Sequence, residues 1–180
     1  MKWKSRSDIE LQFSPNNWGY AANYPERAYM AECPTLQNYD ITYGESSSMK
    51  WVHMQVLALY GSSSNKDTGI ADGIRIFAQA FASEVKGYKL SELMLFFSRY
   101  KAGKYDSSYA SFDARRIGNA FFKEFIPERN REIDIIERKR TAQRRNKSKK
   151  GCISYEQYLE IKQRAEKGDK EAIKLLQKPK

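Results

Sequence analysis

The chain has 180 residues with 32 Lys or Arg against 22 Asp or Glu, a formal net charge of +10. At 41% hydrophobic and 30% charged it is too apolar for wholesale disorder and too charged for a membrane protein, and its length suits one domain, or one compact domain with an appendage. A single histidine, His53, and two cysteines, Cys33 and Cys152, argue against a zinc site, a catalytic triad and a disulfide framework alike.

Residues 1–48 are expected to form a mostly irregular arm. Pro15, Pro25 and Pro34 break any long helix, and Asn16-Asn17, Gly44 and Ser46-Ser47-Ser48 favour turns or loops. The arm is rich in rings all the same: Trp3, Phe13, Trp18, Tyr20, Tyr24, Tyr29, Tyr39 and Tyr43. Such rings can stack on nucleobases. More often they anchor an extended arm to a folded body. Pro34-Thr35-Leu36 opens a short helix, since proline suits a first turn. The start, Met1-Lys2-Trp3-Lys4 running on to Asp8-Ile9-Glu10, is basic but lacks the apolar stretch of a signal peptide.

From Met49 the pattern turns helical. Trp51, Val52, Val56, Leu59 and Tyr60 recur at helical spacing as far as the turn formers Gly61–Asn65, with His53 among them as a core or boundary residue. The next helix runs from about Thr68, capped by Asp67 or Thr68, to about Lys86, with Gly87 as its C-cap. Ile70, Ile74, Phe77, Phe81 and Val85 give it one apolar stripe. In Lys89–Ala102, Leu90, Leu93, Met94, Phe97 and Tyr100 form a face that Leu95 and Phe96 widen, predicting the most buried helix. After a turn over 103–108, Asp113 caps a fourth helix carrying Ile117, Phe121 and Phe125. Pro127 is expected to interrupt or kink it, which closes a helical body over 49–126.

Residues 127–150 are expected to form a basic helix, and the charge is concentrated there. Residues 1–137 hold 17 basic and 17 acidic side chains, whereas 138–150 hold eight basic and none acidic. Arg138, Lys139, Arg140, Arg144, Arg145, Lys147, Lys149 and Lys150 are therefore the candidate nucleic-acid-binding residues. Such a segment neutralises phosphates and releases their counterions, without reading sequence. A solvated linker, an acidic protein or an anionic membrane surface are the competing uses. A linker over Ser148–Ser154 leads to a helical hairpin within 151–180. Ser154 or Ile153 opens its first arm, Gly168-Asp169 turns it, and Asp169 caps a second arm through Ala172, Ile173, Leu175 and Leu176. No β-alternation of useful length and no repeat occurs. The expected fold is all-α: a small helical bundle with an irregular aromatic arm, a long basic helix and a C-terminal helical hairpin.

Catalytic motifs are scarce. No glycine-rich phosphate loop is present, so nothing argues for an ATPase. Asp106 and Asp113 flank a basic turn, but Asp113 is explained as a helix cap, and a nuclease would need paired carboxylates fixed around a metal. The chain is expected to be non-enzymatic, with no catalytic residue, metal or cofactor. Arg99, Lys101, Lys104, Tyr105 and Tyr109 form a secondary basic and aromatic turn. It either grips a nucleic-acid backbone or a partner helix, or reflects the preference of cations for helix C-termini.

Leu93-Met94-Leu95-Phe96-Phe97, Arg99, Lys101, Gly103-Lys104-Tyr105, Tyr109, Asp113, Phe125 and Glu128-Arg129-Asn130 together resemble a family of small proteins of Bacteroides-type bacteria, their phages and mobile elements. The likeness spans residues 49–137 and includes the hairpin over 155–176, and that family has no established activity. A helix, then Lys101-x-Gly103-x-Tyr105, a capped helix and an Arg-rich exit is also similar to phage replicative-helicase loaders and their regulators, which place glycine where this chain has Asp106. The loader resemblance implies a helical domain that contacts a replicative helicase and a basic region that meets DNA. The expected function is an accessory protein of DNA replication or maintenance in a bacterial cytoplasm. Its partners would be nucleic acid, DNA before RNA, and another protein, with no membrane. The alternative is a phage protein that inhibits a host defence or host enzyme by protein contact.

Overall fold

The computed structural model describes the backbone of residues 5–60, 68–105, 111–151 and 154–177. Trp3, the turn over 61–65, Asp67, Asp106, Tyr109, Cys152 and Ile153 lie outside the described residues, as do the side chains of Thr68, Lys147, Lys149 and Lys150. The elements in order are α1 (Arg6–Gln12), a 3-10 turn (Pro15–Asn17), α2 (Trp18–Asn23), α3 (Pro25–Met30), α4 (Leu36–Tyr43) and α5 (Ser47–Tyr60). They continue with α6 (Thr68–Glu84), α7 (Leu90–Lys101), α8 (Ala114–Asn119), a π-helical turn (Ala120–Phe125), α9 (Ile126–Gly151), α10 (Tyr155–Glu166) and α11 (Lys170–Gln177). Among the described residues the only extended pairing is one bridge between Thr35 and Lys89. The chain is all-α.

The N-terminal segment is not irregular. Pro15 and Pro25 start helical turns instead of breaking them, because the first position needs no N–H and wants the φ that proline presets. Ser5 and Thr35 cap α1 and α4 by accepting from the Asp8 and Asn38 N–H groups, each at 3.2 Å. Helices this short are not stable alone. Burial of Ile9, Phe13, Tyr29, Leu36 and Tyr39 holds them. The Phe13 carbonyl accepts from Trp51 Nε1 at 3.0 Å and from Gln55 Nε2 at 2.9 Å, while Gln55 Oε1 accepts from Trp18 Nε1 at 2.6 Å. The link between α3 and α4 pairs with the approach to α7: Leu36 N–H donates to Tyr88 O at 3.1 Å and Leu90 N–H to Pro34 O at 3.0 Å. Most of these rings therefore serve packing, with Tyr20 and Tyr24 left exposed.

α7 is the deepest helix, with Leu90, Glu92, Leu93, Met94, Leu95, Phe96, Phe97 and Tyr100 all buried. Phe121 meets Phe96 at 5.0 Å and Phe81 at 5.1 Å, both edge to face, the arrangement favoured by ring quadrupoles. α6 ends at Glu84, short of the expected Lys86, and Gly87 is not in the left-handed conformation of a C-cap. Gly103, at φ 77°, does turn the chain after α7. Asp113 caps α8, accepting from the Arg115 and Arg116 N–H groups at 2.8 and 3.3 Å.

Pro127 does not end the helix that Asp113 begins. The helix widens into the π turn, where the Ile126 N–H bonds back five residues to the Phe121 carbonyl. The ladder is already shifted when the proline arrives as the second residue of α9, so its missing N–H falls at a helix start and costs little.

The chain divides into two compact units, Met1–Ile133 and Asp134–Lys180, with the boundary inside α9. α9 continues through Gly151, so the expected linker from Ser148 is helical over its first residues. In the second unit, Ser154 caps α10 by accepting from the Gln157 N–H at 3.1 Å, and its own N–H donates to Gln157 Oε1 at 3.0 Å. Gly168, at φ 88°, makes the turn, and Asp169 caps α11 through the Glu171 and Ala172 N–H groups. No helix among the described residues is long and apolar enough to cross a membrane.

Candidate nucleic-acid interface

The cationic segment is helical and exposed. Residues 138–146 all lie on α9 and face solvent, and Lys147, Lys149 and Lys150 continue the same helix. At about 3.6 residues per turn, Arg138 and Arg145 share one side, Arg140 and Arg144 another, and Lys139 falls between them. Over 138–145 the five cations are spread around the helix along a rise of about 10 Å. Asp134 and Glu137 line the same shallow groove as Arg138, Thr141 and Arg145, so the wholly cationic stretch starts at Arg138. An exposed basic helix of this kind suits backbone phosphates, contacts that position without reading sequence.

The secondary turn is built differently. The Arg99 side chain is only 12% exposed and is ringed by partners from its own unit. Its Nη2 donates to both carboxylate oxygens of Glu132 at 2.9 and 3.0 Å, its Nη1 donates to the Tyr29 hydroxyl at 3.2 Å, and Glu128 lies at 3.3 Å. The Tyr29 hydroxyl in turn donates to Glu132 Oε2 at 2.6 Å. Lys104 Nζ donates to Glu128 Oε1, the Tyr105 hydroxyl donates to Glu128 Oε2 at 2.7 Å, and Lys101 Nζ donates to the Leu59 carbonyl. Arg99, Lys104 and Tyr105 are thus gathered around two carboxylates of α9, while Tyr109 lies outside the described residues.

Protonation follows from this geometry. Burial works against the Arg99 charge, yet Tyr29 and Glu132 hold its pKa above the ordinary guanidinium value. Burial likewise opposes ionisation of Glu128, but hydrogen bonds from Lys104 and Tyr105 and the Arg99 charge outweigh it, and the carboxyl titrates below its ordinary 4.5. Burial first, then the bond to Glu128, pushes the Tyr105 phenol up. A second pair joins the same two helices. Arg129 donates to Glu92 Oε1 from Nε at 3.2 Å and from Nη2 at 2.8 Å, and its guanidinium lies 5.3 Å from the Tyr88 ring centroid.

These contacts fix the first turns of α9 to α7. Such a clamp was invisible in the sequence, where Glu128, Arg129 and Glu132 look like the mixed-charge face of a solvated helix. The one signal was that the basic cluster ending α7 precedes two acids spaced four apart, the separation that places them on one helix face.

A family model, described as a family of unknown function (DUF6633), matches residues 75–170, more than half of the chain. The chain belongs to that family. The matched region starts within α6 and runs to the first residue of α11, so it holds Arg99 with Glu128 and Glu132, the π turn and the cationic part of α9, but not Tyr29. Helices α1 to α5 precede it. No curated protein and no solved structure matches the chain.

Proposed function

We propose that this protein is a non-enzymatic accessory protein of DNA replication or maintenance, which holds nucleic acid through residues 138–150 and a protein partner through its helical body. The observation that supports the nucleic-acid half is the helical stretch from Arg138, exposed over 138–146 and holding eight cations and no acid in 13 residues, on a chain otherwise close to neutral. The replication context rests on the resemblance to helicase loaders. The mechanism is tethering: two weak contacts on one chain raise the effective concentration of each. The Arg99 clamp lends weight to assigning the polyanion contact to α9, because Arg99 and Lys104 of the secondary turn already face carboxylates of this chain.

The test is the salt dependence of duplex DNA binding. Replacing Arg138, Lys139, Arg140, Arg144 and Arg145 by Gln lowers affinity and reduces the log–log salt slope by about 0.9 for each phosphate contact removed. An unchanged slope overturns the reading. Preference for single-stranded RNA over duplex DNA would reassign the ligand without moving the site.

A further inference from the structure

A cavity of about 400 Å³ opens among α2, α3 and α7, within the range of small-ligand sites. Its inner wall is apolar, formed by the buried Phe13, Ala21, Ala28 and Met94. Arg27 lines it from the exposed side, and that guanidinium is held in place. Its Nη1 donates to the Tyr20 hydroxyl at 2.6 Å, and its central carbon lies 4.9 Å from the Tyr24 ring centroid. The two tyrosine rings are themselves 5.0 Å apart.

This arrangement favours one chemistry. Both groups that orient Arg27 are neutral phenols, and among the described residues no carboxylate is paired with it. Glu32 lines the same cavity but makes no ion pair with Arg27. Tyr20 takes one of five guanidinium N–H donors, so a planar fork remains for an anion.

We propose that this cavity binds an apolar α-amino-acid residue by its carboxylate, with the carboxylate on Arg27 and the side chain against Phe13, Ala21, Ala28 and Met94. The site is independent of the nucleic-acid reading. Two sources share the chemistry. A free amino acid also carries an ammonium group, which Glu32 would accept; the C-terminal residue of a polypeptide does not.

Calorimetric titration of the full chain tests this with four probes: N-acetylphenylalanine, its C-terminal amide, phenylalanine and acetate. Binding of N-acetylphenylalanine or phenylalanine is expected, with the amide and acetate at least tenfold weaker. Arg27→Gln should lose at least tenfold in affinity for the acid and nothing for the amide, and Ala31→Trp, at an exposed lining position, should block both. Tighter binding of phenylalanine than of its acetylated form, abolished by Glu32→Gln, assigns the free amino acid; the opposite order assigns a chain terminus. Arg27, Ala31 and Glu32 are all exposed, and an unchanged melting curve certifies each variant as folded. No binding of any probe at millimolar concentration, equal affinity for acid and amide, or an unaffected Arg27→Gln variant overturns the proposal.

Discussion

Arg99 is the residue on which the packing of α9 against α7 turns. Its side chain is 12% exposed, and it answers two carboxylates that are themselves 20% and 30% exposed. Replacing it with Met would leave Glu128 and Glu132 partly buried without their shared cation, and removal of one partner costs more than an intact pair contributes. Arg99→Met is expected to lower unfolding free energy by about 3 kcal/mol in urea denaturation. Arg99→Lys should recover part of that, since it keeps the charge and loses the fork. Glu128 adds a pH dependence. Its folded pKa is depressed, so its contribution is complete above the ordinary value of 4.5 and is lost as pH falls through the folded value. The urea midpoint of the wild type should therefore drop in acid below that value, and Glu128→Gln should flatten the drop.

At the scale of the elements, Asp113 acts as a helix cap: it accepts two backbone N–H bonds at the start of α8. Asp113→Ala should cost about 1 kcal/mol in denaturation, and Asp113→Asn, which can still cap, a few tenths at most. A loss as large for Asn as for Ala would mean the charge matters beyond capping. The long helices were legible for a simple reason. The stripe from Ile70 to Val85 and the cluster from Leu90 to Tyr100 repeat over several turns, and α7 is indeed the most buried helix. Helices α1 to α4 have six to eight residues each and too few turns to show a period. Their stability comes from contacts such as the Phe13 carbonyl with Trp51 and Gln55, 38 and 42 residues away. Pro25, taken for a breaker, stands at the first position of α3, and only its place in the helix distinguishes the two roles. The cationic rod of α9 was legible because composition alone defines it. The pairing of Arg99 with Glu132 was not, because it spans 33 residues and depends on how α7 and α9 pack.

For the molecule as a whole, core and charge are segregated along the chain. Among the described residues every large buried apolar side chain lies between Ile9 and Phe125, and the second unit buries only Ala172. α10 and α11 leave Tyr155, Tyr158, Leu159, Leu175 and Leu176 exposed, so the hairpin has little core of its own. Helices of 12 and eight residues are marginal in water without one. A chain cut after Glu137 keeps the Arg99 clamp, the Glu92–Arg129 pair and the entire aromatic centre, and loses all eight cations of the segment. Fragment 1–137 should therefore unfold in urea as one cooperative transition, within about 1 kcal/mol of the stability of the first unit in the full chain. The peptide 134–180, the second unit, should show much less helix by circular dichroism than the 134–151 and 155–177 helices imply. In DNA titrations the fragment should lose the salt-dependent component that the full chain shows, because its remaining 17 cations face 17 acids. Salt-dependent binding that survives the truncation would move the polyanion contact into the body. It would also mean that some cation there, despite the carboxylates around the secondary turn, reaches the phosphates.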